Sequence, residues 1–383
     1  MADYDVIVVG GGPAGAMAAR CCAKEGLTTL LLEEHGTVGH PVQCAGLLSA
    51  AAFRECEVGQ DSVLQEVSGA RIIGGAGVCL TFDAGVTKAF VVDRGALDRE
   101  MVAAAAKSGA EVRVKTACQE VRDGSVITRG VQGREVHSFR ILIAADGPGS
   151  AIARHQGFGR AGFYLSGLQA EVVAPHPPGL VTISPHVSPD FFGWTIPVGE
   201  GRVRIGLAGK KDVKPRFSAF ARPYLAQCTH LVSGTIPLGV IPRTYGKRTL
   251  VIGDAAGFAK PTSGGGVYTG VRSARHAAAT AVASIREGKF DDMALSRYER
   301  AWQEDFGREL STGMRLLQLR QAMRPSEVDK ILSALSKPGM VQEIVTLGDM
   351  DRPRRLASAL IKNPRLLTLW FGLIRPFVIS FLT

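Results

Sequence analysis

Three glycines near the start constrain this chain more than any other feature. Tyr4 to Val9 is a short run rich in Val and Ile, suited to a strand buried on both faces. Gly10, Gly12 and Gly15 follow at G-x-G-x-x-G spacing, Ala14 to Lys24 reads as a helix, and Gly26 stands just past its end. Thr28 to Leu32 reads as a second buried strand that delivers Glu33 and Glu34. Each residue type has a physical job. Gly10 permits a tight turn, Gly12 lets backbone approach a pyrophosphate with no Cβ in the way, and Gly15 lets the helix pack close to the strand. The exposed N–H groups at the helix start, where Ala14 stands, suit a diphosphate. An acid at Glu33, with Glu34 beside it, can accept from ribose hydroxyls. That fits NAD or the adenosine half of FAD and disfavours a 2′-phosphate.

Residues 36–49 form a Gly- and Pro-punctuated loop containing Cys44, and 67–92 read as several short strands of one inserted sheet. Val91 to Arg94 leads into a helix over Ala96 to Ser108, followed by a strand pair at Glu111–Thr116 and Glu120–Arg122. Phe139 to Ala145 is a buried strand closing on Asp146-Gly147. Residues 162–207 alternate without helical periodicity and read as a second, antiparallel sheet. Leu250 to Gly253 returns to the first domain, ahead of Gly264-Gly265-Gly266 and a long Ala-rich helix to Arg286. The nucleotide domain is therefore expected to be discontinuous: residues 1–50, 91–155 and 246–290. Residues 51–90 and 156–245 then form a substrate-binding sheet domain, and 291–383 a helical region.

Charge and cysteines narrow the setting. A length of 383 residues allows two or three domains. The net charge of +10 predicts attraction to acidic surfaces: anionic lipid, an acidic protein donor or nucleic acid. The basic residues form no block and no aromatic-basic RNA motif accompanies them, so no nucleic-acid partner is expected. Seven cysteines without a C-x-x-C point to a reducing cytoplasm rather than a disulfide framework, and no cluster has metal-ligand spacing. With the first strand opening at residue 4, no leader peptide is expected.

Gly253-Asp254-Ala255-Ala256-Gly257 is a second nucleotide motif. An acid at the end of a buried strand can accept from ribityl hydroxyls, and the small residues after it admit a flavin. Pro261 and Gly264 to Gly266 open the Ala-rich helix, placing its N-terminus where it stabilises negative charge on a reduced flavin. The pairing of this motif with the N-terminal fingerprint selects FAD.

These motifs, with Arg94 followed by Asp98 and with Ala145-Asp146-Gly147, resemble the FAD-dependent oxidoreductases of the aromatic-hydroxylase superfamily. Within it the chain resembles the geranylgeranyl reductases. Their cysteine loop matches Pro41 to Ser49, with Ala45 where many members have Gly. Their P-x-x-Y-x-W-x-F-P motif matches Pro189 to Pro197, with Phe192 for Tyr and Ile196 for Phe. The resemblance covers residues 4–290. It implies an α/β fold: a Rossmann-like FAD-binding domain, an inserted antiparallel β-sheet substrate domain and a C-terminal helical region. It implies reduction of isoprenoid double bonds of a lipid. Cys44 is then the candidate proton donor, or a residue that shapes the pocket, gates it by oxidation or only packs as a small hydrophobe; Cys44, Ala45, Arg94, Asp146 and Gly147 join the cofactor set, and Phe191, Phe192, Trp194 and Ile196 form the substrate set. As residues alone, the last four make a dense apolar stretch suited to a groove for a hydrocarbon or to the core of a sheet.

One dinucleotide fingerprint leaves no seat for a resident nicotinamide, so a transient electron donor of ferredoxin, deazaflavin or nicotinamide type is expected. The apolar tail over 366–382 suits an interfacial helix, with the enzyme cytoplasmic and peripheral on the membrane, or packing against its own core. Two other functions stay open: a flavin monooxygenase on the same scaffold, and a non-catalytic basic flavoprotein that binds RNA or membrane.

Overall fold

The computed structural model describes residues 3–363. The first unit forms where its pattern requires: β1 (Tyr4–Val9), α1 (Pro13–Lys24) and β2 (Thr29–Leu32). β1 and β2 pair in parallel from Val6 opposite Thr29 to Val9 opposite Leu32. Their facing residues are fully buried, as expected for a sheet covered on both sides.

The chain then leaves this sheet through β3 (Leu47–Ser49), α2 (Ala50–Glu55), β4 (Val63–Val67), β5 (Gly69–Ile73), β6 (Cys79–Asp83) and β7 (Ala89–Val92). The segment read as one inserted sheet is in fact divided. β7 is flanked by β3 and β4 in a separate three-stranded sheet, while β5 and β6 join the large sheet described below. Both edges of β7 are already paired, so it has no edge left for the larger sheet.

α3 (Arg94–Lys107) brings the chain back, and β8 (Glu111–Arg113) adds to β2 in parallel. The expected strand pair around 111–122 is corrected too. β9 (Ala117–Arg122) pairs instead with β10 (Ser125–Gly130), which pairs with β11 (Gly133–Ala144). The second half of β11 continues alongside β1 in parallel. Asp123-Gly124 and Val131-Gln132 form the two tight turns of this meander.

After α4 (Ala151–His155) come β12 (Phe163–Val173), β13 (Leu180–Ser184), β14 (Gly193–Gly199), β15 (Arg202–Gly209), α5 (Val213–Ala221) and β16 (Cys228–Leu238). With β5 and β6 they form a seven-stranded sheet in the order β16-β12-β15-β14-β13-β5-β6. Only β13 and β5 run parallel. β17 (Tyr245–Gly246) and β18 (Thr249–Val251) close the first sheet, whose main path is β17-β18-β11-β1-β2-β8.

α6 (Val267–Glu287) lies against α1, and α7 (Asp292–Trp302) follows. The Tyr298 hydroxyl of α7 donates to the Val251 carbonyl at 2.7 Å. A π-helical turn (Gln303–Gly307) leads to α8 (Arg308–Ala322), α9 (Pro325–Leu335), α10 (Pro338–Leu347) and α11 (Arg354–Lys362). Leu332 and Ile344 pack on Leu80 of β6, so the helical region is tied to the far edge of the large sheet. The α/β architecture with a second antiparallel sheet and a helical C-terminal region is as expected. No described helix is long and apolar enough to cross a membrane. The apolar tail over 366–382 lies outside the described residues.

Candidate active site

Gly10 and Gly15 stand where a tight turn and a close helix–strand approach require glycine. Gly10 has φ +107°, and a Cβ on it would stand 2.2 Å from the Ala145 carbonyl oxygen. A Cβ on Gly15 would stand 1.9 Å from the Gly10 carbonyl oxygen, so α1 reaches its strand only without a side chain there. Gly12 differs: a Cβ would meet nothing within 4 Å. Space is thus left at the helix start where a diphosphate belongs. One Glu33 oxygen accepts from the Gly11 N–H and the other from the His35 N–H, each at 2.8 Å. Glu33 Oε1 also lies 2.8 Å from His35 Nδ1, whereas Glu34 is exposed. Ala14 packs against Gly253, where a Cβ would lie 3.0 Å away, so the two nucleotide motifs touch.

Arg94 is the electrostatic centre of the site. Its Nη2 donates to both oxygens of Asp98, at 3.0 and 3.2 Å, in a buried i,i+4 pair. The Cys44 thiol lies within its electrostatic reach. Burial works against the charge, but Asp98 and Cys44 together hold the Arg94 pKa above its ordinary value. Its Nε is buried without a partner among the described residues. Asp254 lies nearby, pressed against Gly266, with no hydrogen-bond partner among the described residues. Burial pushes its carboxyl up to about 6, and the field of Arg94 pulls the other way. A recessed carboxylate and an orphaned guanidinium N–H beside an open glycine turn fit FAD.

This predicts a pH-dependent cofactor affinity. Hydroxyl donors on the Asp254 carboxylate would lower its pKa in the complex, so binding would release a proton. FAD affinity is expected to fall as pH drops through about 6. The slope would be at most about tenfold per pH unit. Asp254→Asn should flatten the profile, as measured by flavin fluorescence titration.

The cysteine loop is held from the large sheet by two residues that no sequence signal marked. Gln169 of β12 donates to the Cys44 carbonyl at 3.4 Å and accepts from the Trp194 indole N–H at 2.9 Å. Arg204 of β15 donates to the Ala45 carbonyl at 2.9 Å while pairing with Glu171. Period-2 alternation puts both on one sheet face, but their partners lie in the loop ahead of β3. Asp146 serves its own loop, accepting from Ser150 Oγ at 2.6 Å and from the Ile152 N–H at 3.2 Å. Burial raises its pKa, which the hydrogen bond from Ser150 opposes. Beside it a Cβ on Gly147 would meet nothing, leaving that backbone open to a ligand.

Three of the four aromatic-motif residues gather at the cofactor loop. Phe191 and Phe192 stack with ring centroids 4.1 Å apart, and Phe192 meets Trp194 edge-on at 6.3 Å. A Cβ on Gly264 would stand 3.4 Å from the Phe191 ring, so this cluster abuts the loop that opens α6. Ile196 belongs to a second cluster, against which Trp194 also packs. It is buried among Val67, Ala89, Val91 and Val198, one strand step beyond Trp194. The Arg320 guanidinium clamps the approach to the motif, donating to the carbonyls of Pro185, Ser188 and Pro189. Pro261 packs under α8, where a Cβ on Gly313 would come within 3.2 Å of its ring. An open cleft of about 670 Å³ runs past Val240, Ala259, Pro261, Leu310 and Met314. Ala259 and Met314 also belong to the cluster around Phe191, so the cleft is continuous with it.

Residues 5–131 match the FAD dependent oxidoreductase family model. The chain is 31% identical over 359 residues to digeranylgeranylglycerophospholipid reductase 2 of Methanothermobacter thermautotrophicus, covering 87% of this chain and 91% of that protein. Its fold matches the crystal structure of a geranylgeranyl bacteriochlorophyll reductase-like protein from Thermoplasma acidophilum with a TM-score of 0.85, at 25% identity, over 97% of this chain and 99% of the other. A p-nitrophenol 4-monooxygenase from Pseudomonas putida shares the fold at TM-score 0.72 and 19% identity, over 89% and 96% of the two chains. Sequence, fold and cofactor seat agree: this chain is an FAD-dependent oxidoreductase of the geranylgeranyl reductase family.

Proposed function

We propose that the chain saturates isoprenoid double bonds, in geranylgeranyl chains of a membrane lipid or its precursor. The observation that carries this reading is the contact of the Phe191–Phe192–Trp194 cluster with Gly264, which sets an apolar wall beside the cofactor loop. Bound and reduced FAD supplies a hydride equivalent, which one alkene carbon takes up while the other takes a proton. The chain's own residues do the rest. The aromatic cluster and the cleft hold the hydrocarbon and exclude water. Cys44 Sγ supplies the proton, within electrostatic reach of the Arg94 guanidinium. A transient donor of ferredoxin, deazaflavin or nicotinamide type returns the electrons. The net charge of +10 suits an acidic donor or an anionic membrane surface. In this reading the enzyme works from the cytoplasm, reaching the bilayer through its apolar tail.

The test is anaerobic reoxidation of the reduced flavin by a geranylgeranyl lipid. Alkene reduction without oxygen separates this function from a monooxygenase. Cys44→Ala is expected to slow reoxidation by about 10²–10⁴-fold, the usual share of a general acid. Cys44→Ser should retain part of the rate. Full activity in both variants would remove Cys44 from proton transfer.

Trp194 is expected to act on the chain rather than on the cofactor. Trp194→Ala opens the wall and frees Gln169 from its indole partner. Turnover of a long-chain lipid should fall about tenfold, the upper end of the about 0.5–1.5 kcal/mol that an aromatic contact contributes. The FAD content of the purified protein should not change.

A further inference from the structure

We propose that Lys260 and Asp351 form a buried charge pair that tunes the flavin site from beneath the Gly264–Gly266 loop, with Asp351 the positioning residue for Lys260. Lysine is almost never fully buried unless paired. Lys260 is only 7% exposed and Asp351 only 3%. The Lys260 ammonium donates to one Asp351 oxygen and, at 3.1 Å, to the Met350 carbonyl. The other Asp351 oxygen accepts from Ser49 Oγ, which itself caps α2 directly after the cysteine loop. The pair therefore joins three segments: the cofactor loop, the exit from the Cys44 loop and the helical C-terminal region.

The ammonium is the end that touches the loop. A Cβ on Gly265 would stand 3.4 Å from Lys260 Cε and 3.7 Å from Nζ. The Lys260 backbone N–H donates to the Gly265 carbonyl at 3.1 Å, and its own carbonyl accepts from the Gly264 N–H at 2.7 Å. Asp351 is fixed in turn. Its N–H donates to Asp349 at 2.7 Å, and Arg352 beside it donates to the Tyr268 hydroxyl of α6 at 3.2 Å. A buried ion pair is a weak device for stability compared with apolar residues of similar volume. A fixed positive end beneath the loop that opens α6 has another effect: it favours the added negative charge of a reduced flavin.

The inference rests on the FAD seat and not on the lipid reading, so its test needs no lipid. FAD-loaded Lys260→Met and Asp351→Asn would be titrated for flavin midpoint potential, together with their FAD affinity. Lys260→Met should move the midpoint negative, since Asp351 is left uncompensated. Asp351→Asn should move it positive. Each shift should change the reduced-to-oxidised ratio at fixed potential about tenfold, which is about 30 mV for a two-electron couple. A pair that only staples the segments together would weaken both variants alike. Shifts of the same sign, or none, overturn the proposal. If either single variant fails to retain FAD, the neutral pair Lys260→Gln with Asp351→Asn decides: a midpoint below the wild-type value supports the proposal, and an unchanged one overturns it.

Discussion

Gly12→Val is expected to give a folded protein that no longer holds FAD. The space beyond Gly12 is open, with nothing within 4 Å of a built Cβ, so the chain itself tolerates a side chain there. A diphosphate does not, because its approach to the α1 N-terminus depends on bare backbone. We expect FAD affinity to fall by at least about 10³-fold, from lost N–H contacts and steric exclusion together. Thermal unfolding of the apo-protein should move little. Gly15→Val is the contrast. Its Cβ would stand 1.9 Å from the Gly10 carbonyl oxygen, so β1 and α1 must separate. That variant should lose both cofactor and fold. If Gly12→Val keeps its yellow colour through gel filtration, the diphosphate does not sit at this turn.

Arg94→Met should be the most damaging substitution away from the glycines. It leaves Asp98 buried with its bidentate partner gone. Breaking such a pair from one side costs about 3–5 kcal/mol. It also removes the cation within electrostatic reach of Cys44 and Asp254. The pH dependence has a definite sign. Burial already raises the Asp98 pKa above its unfolded value, against the pull of Arg94. A carboxyl so shifted contributes stability present at acid pH and lost as pH rises through the folded pKa. Without Arg94 the folded pKa rises further, so urea midpoints of the variant should improve as pH is lowered from neutrality. Adding Asp98→Leu should restore most of the stability at pH 7 but not the lipid-driven reoxidation rate. Equal stability of Arg94→Met and wild type would show that the pair contributes nothing to the fold.

What could be read from the chain was whatever depends on local backbone geometry. The spacing of Gly10, Gly12 and Gly15, the acid after β2 and the Gly253-Asp254 turn specify conformations within a few residues, and the strand–turn–helix geometry they dictate is present. The aromatic motif was legible in part. Phe191, Phe192 and Trp194 share a cluster, whereas Ile196 falls in the core between the large sheet and the β3-β7-β4 sheet. Alternation assigns a residue to a face, and it does not say what covers that face at each step along the strand. The division of residues 67–92 between two sheets was missed for a related reason. The choice of which edge each short strand takes is made by partners far away in the chain.

By itself, then, the sequence determined the cofactor and the family, because short-range patterns of glycine, acid and apolar residues dictate a strand–turn–helix suited to a dinucleotide. The tertiary structure alone decided the supports of the site. Gln169 reaches Cys44 across 125 residues, Lys260 reaches Asp351 across 91, and Ser49 reaches Asp351 across 302. A side chain's hydrogen-bond partner at such a separation depends on the path of the whole chain, and no spacing within a motif encodes it.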